Sequence, residues 1–479
     1  MVRARKKPGR SAALILAGGG IRVAWQAGAV QALHESGLRF SHGDGTSGGI
    51  FTLGMLMSGV APDELGGRWR SLRVPAFVGL LPLREYAKSP TNWRALGGSA
   101  GIRDEVLPHL GIDIDAIRAN TAMTGTFNVA RFDDKVSVAI PHDEIDEDRL
   151  VAGVSLPIFM PAVESAGSTW TDAVWIRDAN LMEAVRRGCT DLWVLWCIGN
   201  EKRWGTGALE QYVHMIELAA NGALIGELET IREINERRRG GEAVHGSTEQ
   251  IAVHIIHPRR AIPLDPDFVT GRISAETLVA MGYRDACQHL ADAEPSPLDA
   301  TATAMAARTK GCRLSLRLRG VVDRPQKDVI EAGLTIEIDD VHDFVTHNPG
   351  TATVVGGITR THWGYRPVAD GTARLAATPS GRRIDLTLRV TIEGEPVTLT
   401  FSALATPDGQ NGWRWKDART WKVTVDSPTW AADGVATVSL RDAARLLYLF
   451  EPSGVHSLGD RVEVARALWS SLRTGAPLA

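Results

Sequence analysis

The chain has 479 residues, of which 44% are hydrophobic and 23% charged, and its formal net charge is -3. These values are typical of a globular protein with a large core, and the length suggests two or three domains. They exclude a disordered or fibrous chain. The near-neutral charge, without a long basic stripe in the folded part, argues against a nucleic-acid partner.

A basic tail, residues 1–11, begins with MVRARKKPGR. No apolar h-region of a signal peptide follows it, so it lacks the features of a secretory signal. We interpret it as a solvated tail, with contact to an anionic membrane as the alternative. The four cysteines have neither metal-site spacing nor a compact disulfide pattern, which predicts a cytoplasmic location. No apolar stretch is long enough for a transmembrane helix.

The elements of the first half alternate between strands and helices. AALIL, residues 12–16, predicts a buried parallel strand, and VAWQAGAVQALHESG after the glycine turn predicts a helix. A second strand, the segment GTSGG and the apolar helix IFTLGMLMSG follow. Farther on, we predict a hairpin in FNVARFDDKVSVAI, strands in STWTD, DLWVLWCI and IAVHIIH, and a long helix over residues 207–239.

This alternation predicts an α/β domain with a mostly parallel sheet over residues 12–292. The Ala-, Pro- and Thr-rich residues 293–310 are the predicted linker. Beyond it the hydrophobic period becomes two, because apolar residues alternate with polar ones from Ile384 to Ile392 before an EGEP turn. The sequence therefore predicts a smaller, mainly β domain over residues 311–479, with helices around 440–450 and 460–473.

The glycine turn LAGGGIR follows the first strand. Glycines at a strand-to-helix junction let backbone N–H groups converge, and the helix N-terminus adds positive potential, so Gly18, Gly19 and Gly20 suit an oxyanion hole. Dinucleotides bind at the same place in other α/β proteins, which makes a nucleotide-binding protein one alternative. The turn has neither the G-x-G-x-x-G spacing nor a P-loop lysine.

The segment GTSGG places Ser47 between Gly45 and Gly49, in a G-x-S-x-G pattern. A strand before it and an apolar helix after it are the context that a nucleophile elbow requires. Glycines at these positions leave room for the tight turn. The pattern predicts Ser47 as a nucleophile, and a plain glycine loop is the alternative.

A serine nucleophile needs a base. Asp172, at the end of STWTD, is a candidate, because a carboxylate in a desolvated site can have its pKa raised enough to accept the serine proton. An aspartate that caps a turn is the competing interpretation. His254 and His257, near the end of a later strand, would instead complete a conventional Ser-Asp-His triad.

Together, LAGGGIRVAWQAGAVQAL, GTSGG, SLPIFMPAV, WTDAVWIRDANL and GCTDLWVLW resemble the patatin-like phospholipases, over roughly residues 12–290. The resemblance implies a three-layer α/β domain that hydrolyses acyl esters of lipids through an acyl-enzyme, without cofactor or metal. It also implies a lipid or phospholipid substrate. The residues that it assigns are a dyad of Ser47 and Asp172 and an oxyanion hole of Gly18, Gly19, Gly20 and Arg22.

The chain departs from the family pattern after the dyad aspartate, where Ala173 and Val174 replace the usual glycine. Asp178, six residues on, is therefore a competing candidate for the base. A catalytically inactive lipid-binding protein and a transacylase that shares the acyl-enzyme are further alternatives.

The apolar segment VPAFVGLLPLREY, residues 74–86, lies between two prolines where a regular helix is awkward. We interpret it as a lid or an acyl-channel wall that meets a lipid surface, with a buried core segment as the alternative. Peripheral membrane contact is thus expected through this segment or through the basic tail.

Overall fold

The computed structural model separates into two compact units, residues 2–306 and residues 307–479. Residues 1–10, most of segment 74–86 and most of the predicted helix around 440–450 lie outside the described residues. The described residues are 11–73, 77, 95–198, 204, 207–260, 262, 273–292, 294–305, 309–323, 328–347, 349–378, 381–405, 407–408, 412–413, 419–440, 442, 450–453 and 458–474.

The first unit is built around an eight-stranded sheet. Its strands run in the order β5-β6-β3-β2-β1-β7-β8, with β4 beside β3. The pairings among β3, β2, β1, β7 and β8 are parallel, and those that add β4, β6 and β5 are antiparallel. The prediction of a mostly parallel sheet is confirmed. The strands are β1 (Ala12–Leu16), β2 (His42–Thr46), β3 (Thr124–Arg131), β4 (Val136–Pro141), β5 (Val163–Ser165), β6 (Ser168–Asp172), β7 (Asp191–Leu195) and β8 (Ala252–Ile256).

Helices connect these strands. In the part of the chain that the structure describes, no helix is both long and apolar enough to span a bilayer. The helices are α1 (Ala24–Glu35), α2 (Gly49–Met57), α3 (Leu65–Ser71), α4 (Leu107–Leu110), α5 (Ile114–Arg118), α6 (Glu147–Gly153), α7 (Leu181–Arg186), α8 (Ala208–Arg239) and α9 (Ala275–Asp292), with single turns at Gly20–Val23, Ile102–Val106 and Ala300–Thr303.

The alternating side chains of β7 show that helices cover both faces of the sheet. Leu192 and Val194 pack with α7 and α8 in one hydrophobic cluster. Trp193, between them, faces the other side, where its ring stacks on His254 with 4.0 Å between centroids and contacts His289 of α9. The unit therefore has the expected three layers, with the sheet in the middle.

On the α9 side, α1 and α9 approach each other until their backbones touch. A Cβ on Gly28 would lie 1.8 Å from the Val279 carbonyl oxygen, and a Cβ on Gly282 would lie 1.8 Å from the Trp25 carbonyl oxygen. The Trp25 indole N–H also donates to Asp285 Oδ2 at 2.9 Å. This contact fixes α1, which begins just after the glycine turn.

The second unit is an antiparallel barrel. Strands β9, β10, β11, β13, β14, β15, β18 and β19 form a closed ring of eight, because β19 pairs with β9. The strands are β9 (Gly311–Val322), β10 (Asp328–Ile338), β11 (Gly350–Arg360), β12 (Gly364–Pro367), β13 (Asp370–Thr378), β14 (Gly381–Ile392), β15 (Glu395–Ala405), β16 (Pro407–Asp408), β17 (Gly412–Trp413), β18 (Thr420–Asp426), β19 (Ala431–Thr437) and β20 (Phe450–Ser453), and the helices are α10 (Val341–Thr346) and α11 (Leu458–Thr474).

The predicted hairpin of this unit is β14 and β15. Leu386, Leu388 and Val390 are buried, in the alternation that the sequence shows. Glu393 and Gly394 connect the two strands with φ angles of 50° and 85°, the pattern of a two-residue type I′ turn. The prediction of a mainly β second domain is confirmed, and α11 covers the predicted helix at 460–473.

The contact between α1 and α9 predicts that any side chain added at Gly28 strongly lowers the free energy of unfolding. We expect Gly28→Ala to lower the free energy of unfolding by about 3 kcal/mol, because the added methyl meets backbone that no rotamer change can move. Gly222→Ala, in a solvent-exposed stretch of α8 with open space, should instead raise it by up to about 1 kcal/mol. Denaturant unfolding measures both, and a Gly28→Ala protein as stable as the wild type would contradict the packing.

Candidate active site

Ser47 lies in the turn between β2 and α2 and is only 6% exposed. Its φ of 52° is in the left-handed region, which costs a non-glycine residue roughly 1–2 kcal/mol. The Ile50 N–H already donates to the Ser47 carbonyl oxygen at 3.0 Å, so α2 begins at once after the serine. This is the strained strand-to-helix turn of a nucleophile elbow.

The glycines around the serine make this turn possible. A Cβ on Gly49 would lie 2.1 Å from the Leu16 carbonyl oxygen, because the elbow packs directly on the end of β1. A Cβ on Gly45 would lie 3.1 Å from the Gly49 carbonyl oxygen, which is also tight. The close approach thus explains both glycines of the G-x-S-x-G pattern.

The register of the sheet brings Asp172 to the level of Ser47. Thr46, at the end of β2, pairs with Asn128 of β3, and the next residue of β3, Val129, pairs with Asp172 at the end of β6. Strand β4 occupies the other edge of β3, so β2 and β6 follow one another along the same edge, and Ser47 Oγ donates a hydrogen bond to Asp172 Oδ2 at 2.6 Å. This is a serine–carboxylate pair without a histidine.

The Asp172 carboxyl is 1% exposed. Burial raises its pKa to about 7, although its hydrogen bonds with Ser47 and with the Val174 backbone act in the opposite direction. The Val174 N–H donates to Oδ1 at 2.9 Å and so fixes the carboxyl. Ala173 and Val174, the residues that depart from the family pattern, are buried, and the hydrogen bond between Ser47 and Asp172 forms in their presence.

Residues 18–20, the glycine turn after β1, are held from both sides. Gly19 and Gly20 have φ angles of 153° and 60°. Arg22 Nε donates to the Gly19 carbonyl oxygen at 3.1 Å, and Gln26 Nε2 donates to the Ala17 carbonyl oxygen at 2.6 Å. Arg22 therefore stabilises the turn itself.

The three N–H groups of this turn are not equivalent. The Gly18 N–H donates to Asp178 Oδ1 at 2.8 Å, so it already has an acceptor. Among the described residues, no group accepts a hydrogen bond from the N–H of Gly19 or of Gly20. The N–H groups of Gly19 and Gly20 thus differ from that of Gly18, which Asp178 engages.

Residues 14–185 match the family model described as patatin-like phospholipase. These residues form a patatin-like phospholipase domain. The match contains the glycine turn, Ser47 and Asp172, and the family is one of lipid acyl hydrolases. A search of curated proteins finds no match to this chain.

A buried polar network next to the Ser47 turn of the patatin-like domain was not predicted from the sequence. Asp44 Oδ2 accepts from Thr126 Oγ1 at 2.5 Å, and Asp44 Oδ1 accepts from Asn128 Nδ2 at 2.6 Å. Asn128 Nδ2 also donates to Thr46 Oγ1, and Asn128 Oδ1 accepts from Asn180 Nδ2, both at 2.9 Å. The network joins β2, β3 and the segment after Asp172. The one feature of the sequence that could have indicated this network is Asp44, an aspartate in the strand that precedes the Ser47 turn.

Three aromatic side chains of the patatin-like domain form an apolar wall that includes Trp175, three residues after Asp172. The ring of Tyr212, on α8, contacts Phe159 and Trp175 with centroid distances of 5.7 and 5.5 Å. Its hydroxyl donates to the Pro157 carbonyl oxygen at 2.6 Å. Burial, and then the charge of Asp172, raise the pKa of Tyr212 to about 12.

The two histidine candidates lie away from Ser47. His254 is in β8 and stacks on Trp193, and His257 Nδ1 is 3.0 Å from the Pro258 carbonyl oxygen. Strands β1 and β7 separate β8 from β2, which is three inter-strand spacings of about 4.8 Å each. The triad alternative is therefore wrong: His254 is a packed structural residue, and the partner of Ser47 is Asp172.

The left-handed turn at Ser47 predicts a stability difference between two variants that both lack the hydroxyl. Ser47→Gly should unfold with a free energy about 1 kcal/mol higher than Ser47→Ala, because glycine adopts a positive φ without a Cβ clash. Thermal or denaturant unfolding of the two purified variants measures the difference. A Ser47→Gly protein no more stable than Ser47→Ala would contradict the strained elbow.

Proposed function

We propose that the patatin-like domain hydrolyses acyl esters of lipids through an acyl-enzyme on Ser47, with Asp172 as the base. The observation that carries this proposal is the 2.6 Å hydrogen bond from Ser47 Oγ to the buried Asp172 carboxyl. A hydroxyl that donates to a desolvated carboxylate, in a strained turn beside two unused backbone donors, is arranged for nucleophilic attack.

In the acylation step, Ser47 Oγ attacks the ester carbonyl carbon while its proton moves to Asp172 Oδ2. The tetrahedral intermediate then collapses, the bond to the leaving alkoxide breaks, and Asp172 returns the proton to the leaving alcohol. A water molecule then attacks the acyl-enzyme carbonyl carbon while Asp172 accepts a proton from the water. The bond to Ser47 Oγ breaks, Asp172 returns the proton to Ser47, and the fatty acid leaves. Burial of Asp172 makes its carboxylate a stronger base than an exposed aspartate.

The negative charge of the intermediate needs a donor pair. The N–H groups of Gly19 and Gly20 are proposed for this role, because that of Gly18 is engaged by Asp178. Arg22 holds the turn through the Gly19 carbonyl oxygen, which keeps these donors in place before the reaction begins.

An ester with an apolar acyl chain suits the surroundings of the dyad. Phe159, Trp175 and Tyr212 form an apolar wall close to Asp172. Ile158, next to Phe159, is 58% exposed although it is strongly apolar. We propose a lipid substrate on this basis. A cytoplasmic location and peripheral membrane contact through segment 74–86 or the basic tail remain proposals based on the sequence.

The Ser-Asp dyad predicts which variants lose ester hydrolysis. Ser47→Ala should be inactive, and Asp172→Asn should lower kcat/KM for a p-nitrophenyl ester by a factor of about 10² to 10⁴, because the base is lost while the packing is kept. His257→Ala is the control and should keep wild-type activity. An active Asp172→Asn with an inactive His257→Ala would contradict the dyad.

A fluorophosphonate probe separates a working enzyme from an inactive lipid-binding protein. The probe should label the wild-type protein and leave Ser47→Ala unlabelled. If the probe labels neither protein, the catalytic proposal fails.

The raised pKa of Asp172 predicts the acid side of the pH–rate profile. The base must be ionised, so on the acid side kcat/KM should rise with pH with an apparent pKa of about 7, the pKa that burial gives this carboxyl. Initial rates with a short-chain ester across the acid range measure this. An apparent pKa near 3.8, the value of an ordinary aspartate, would contradict a buried Asp172 as the base.

A further inference from the structure

Asp178 is a second buried carboxyl beside the dyad, and the reaction above leaves it without a role. Its side chain is completely buried. A Cβ placed on Gly18 would lie 2.5 Å from Asp178 Oδ1 and 3.2 Å from Ser47 Oγ, so this carboxyl is packed against the glycine turn next to the nucleophile. Ser47 nevertheless donates to Asp172 and not to Asp178.

The two oxygens of Asp178 have different surroundings. Oδ1 accepts the Gly18 N–H at 2.8 Å, whereas Oδ2 is buried and has no hydrogen-bond partner among the described residues. A buried carboxylate oxygen without a donor is costly, and a proton on Oδ2 removes the charge while Oδ1 still accepts from Gly18. The geometry thus favours a neutral carboxylic acid.

Three ionisable groups act on this carboxyl. Asp172, on β6, carries a like charge and favours the neutral form, whereas Arg22, on the glycine turn, favours the ionised form. Cys197, after β7, also interacts with Asp178, and burial raises the pKa of its thiol so that it stays neutral. Desolvation is the largest influence, and the pKa of Asp178 rises to about 8.

The segment that carries Asp178 is fixed on both sides. On one side, Asp172 is held by the N–H of Val174. On the other, Glu227 of α8 accepts from the N–H groups of Leu181 and Met182 at 2.6 and 3.2 Å. Hydrogen bonds thus hold the backbone before and after Asp178.

We propose that Asp178 is a positioning residue, which in its neutral form holds the glycine turn through the Gly18 N–H, and that its ionisation switches the site off. This inference rests on the proposed ester hydrolysis. When Oδ2 loses its proton to solvent, a negative charge appears beside the turn that must stabilise a developing oxyanion, and the two charges repel each other.

The pH–rate profile of Asp178→Asn tests this proposal, because asparagine keeps the acceptor for Gly18 and is neutral at every pH. Wild-type kcat/KM for a short-chain ester should rise through pH about 7 and fall through pH about 8, following the pKa values of Asp172 and Asp178. Asp178→Asn should keep the rise, lose the fall and remain within several-fold of the wild type at pH 7.

Asp178→Ala is the matched control, because it removes both the charge and the acceptor. It should lower kcat/KM at every pH and also lack the alkaline fall. An alkaline fall that persists unchanged in Asp178→Asn would overturn the proposal. An Asp178→Asn protein that is folded but inactive at every pH would do the same, because the charged form would then be the active one.

A second measurement needs no turnover. Folded Asp178 keeps its proton up to pH about 8, whereas an unfolded aspartate loses it near its ordinary value of 3.8, so the folded state binds more protons between these values. The stability of the wild type therefore falls as pH rises, and the melting temperature of Asp178→Asn should exceed that of the wild type by an increasing margin from pH 5 to pH 8.

A margin that does not change with pH would show that folded Asp178 is ionised, and it would overturn the proposal. Because this measurement is independent of catalysis, it distinguishes a failure of the Asp178 proposal from a failure of the proposed ester hydrolysis. A wild-type protein without Ser47-dependent hydrolysis refutes the proposed function, even where the melting temperatures show a neutral Asp178.

Discussion

The hydrogen bond between Ser47 and Asp172 depends on the register of three strands. Strands β2 and β6 pair in succession with one edge of β3, because β4 occupies the other edge, and this places the end of β6 next to the elbow. The left-handed turn at Ser47 then brings the hydroxyl to the carboxyl. The contact of the elbow with β1, the polar network on β3 and the fixed segment after Asp172 all maintain this one distance.

Burial of three aspartates near Ser47 raises their pKa values and also lowers the stability of the folded protein. Asp44, Asp172 and Asp178 are each fully buried, and desolvation raises the pKa of each, to about 7, 7 and 8. A folded state that holds these protons more tightly than the unfolded chain loses stability as the pH rises from the ordinary aspartate value. The hydrogen bonds from Thr126, Asn128, Gly18 and Val174 partly offset this loss.

The sequence predicted the local parts of the site and missed those that depend on distant partners. The glycine turn and the turn at Ser47 can be recognised from a few neighbouring residues, because close backbone approach requires glycine at both. The network from Asp44 to Asn180 joins residues more than 50 positions apart, and no periodicity encodes which strand lies beside which. The barrel was predicted only as a β-rich domain, because one clear alternating hairpin does not specify how the ring closes.

The proposed hydrolysis requires that Ser47 becomes acylated with Asp172 as its base. Mass spectrometry of protein quenched within milliseconds of mixing with an activated short-chain ester tests it most directly. We expect an acyl group on the peptide that contains Ser47 in the wild type, and much slower formation of the same adduct in Asp172→Asn. An acyl group on another residue, or equally fast acylation of Ser47 in Asp172→Asn, would rule out this mechanism.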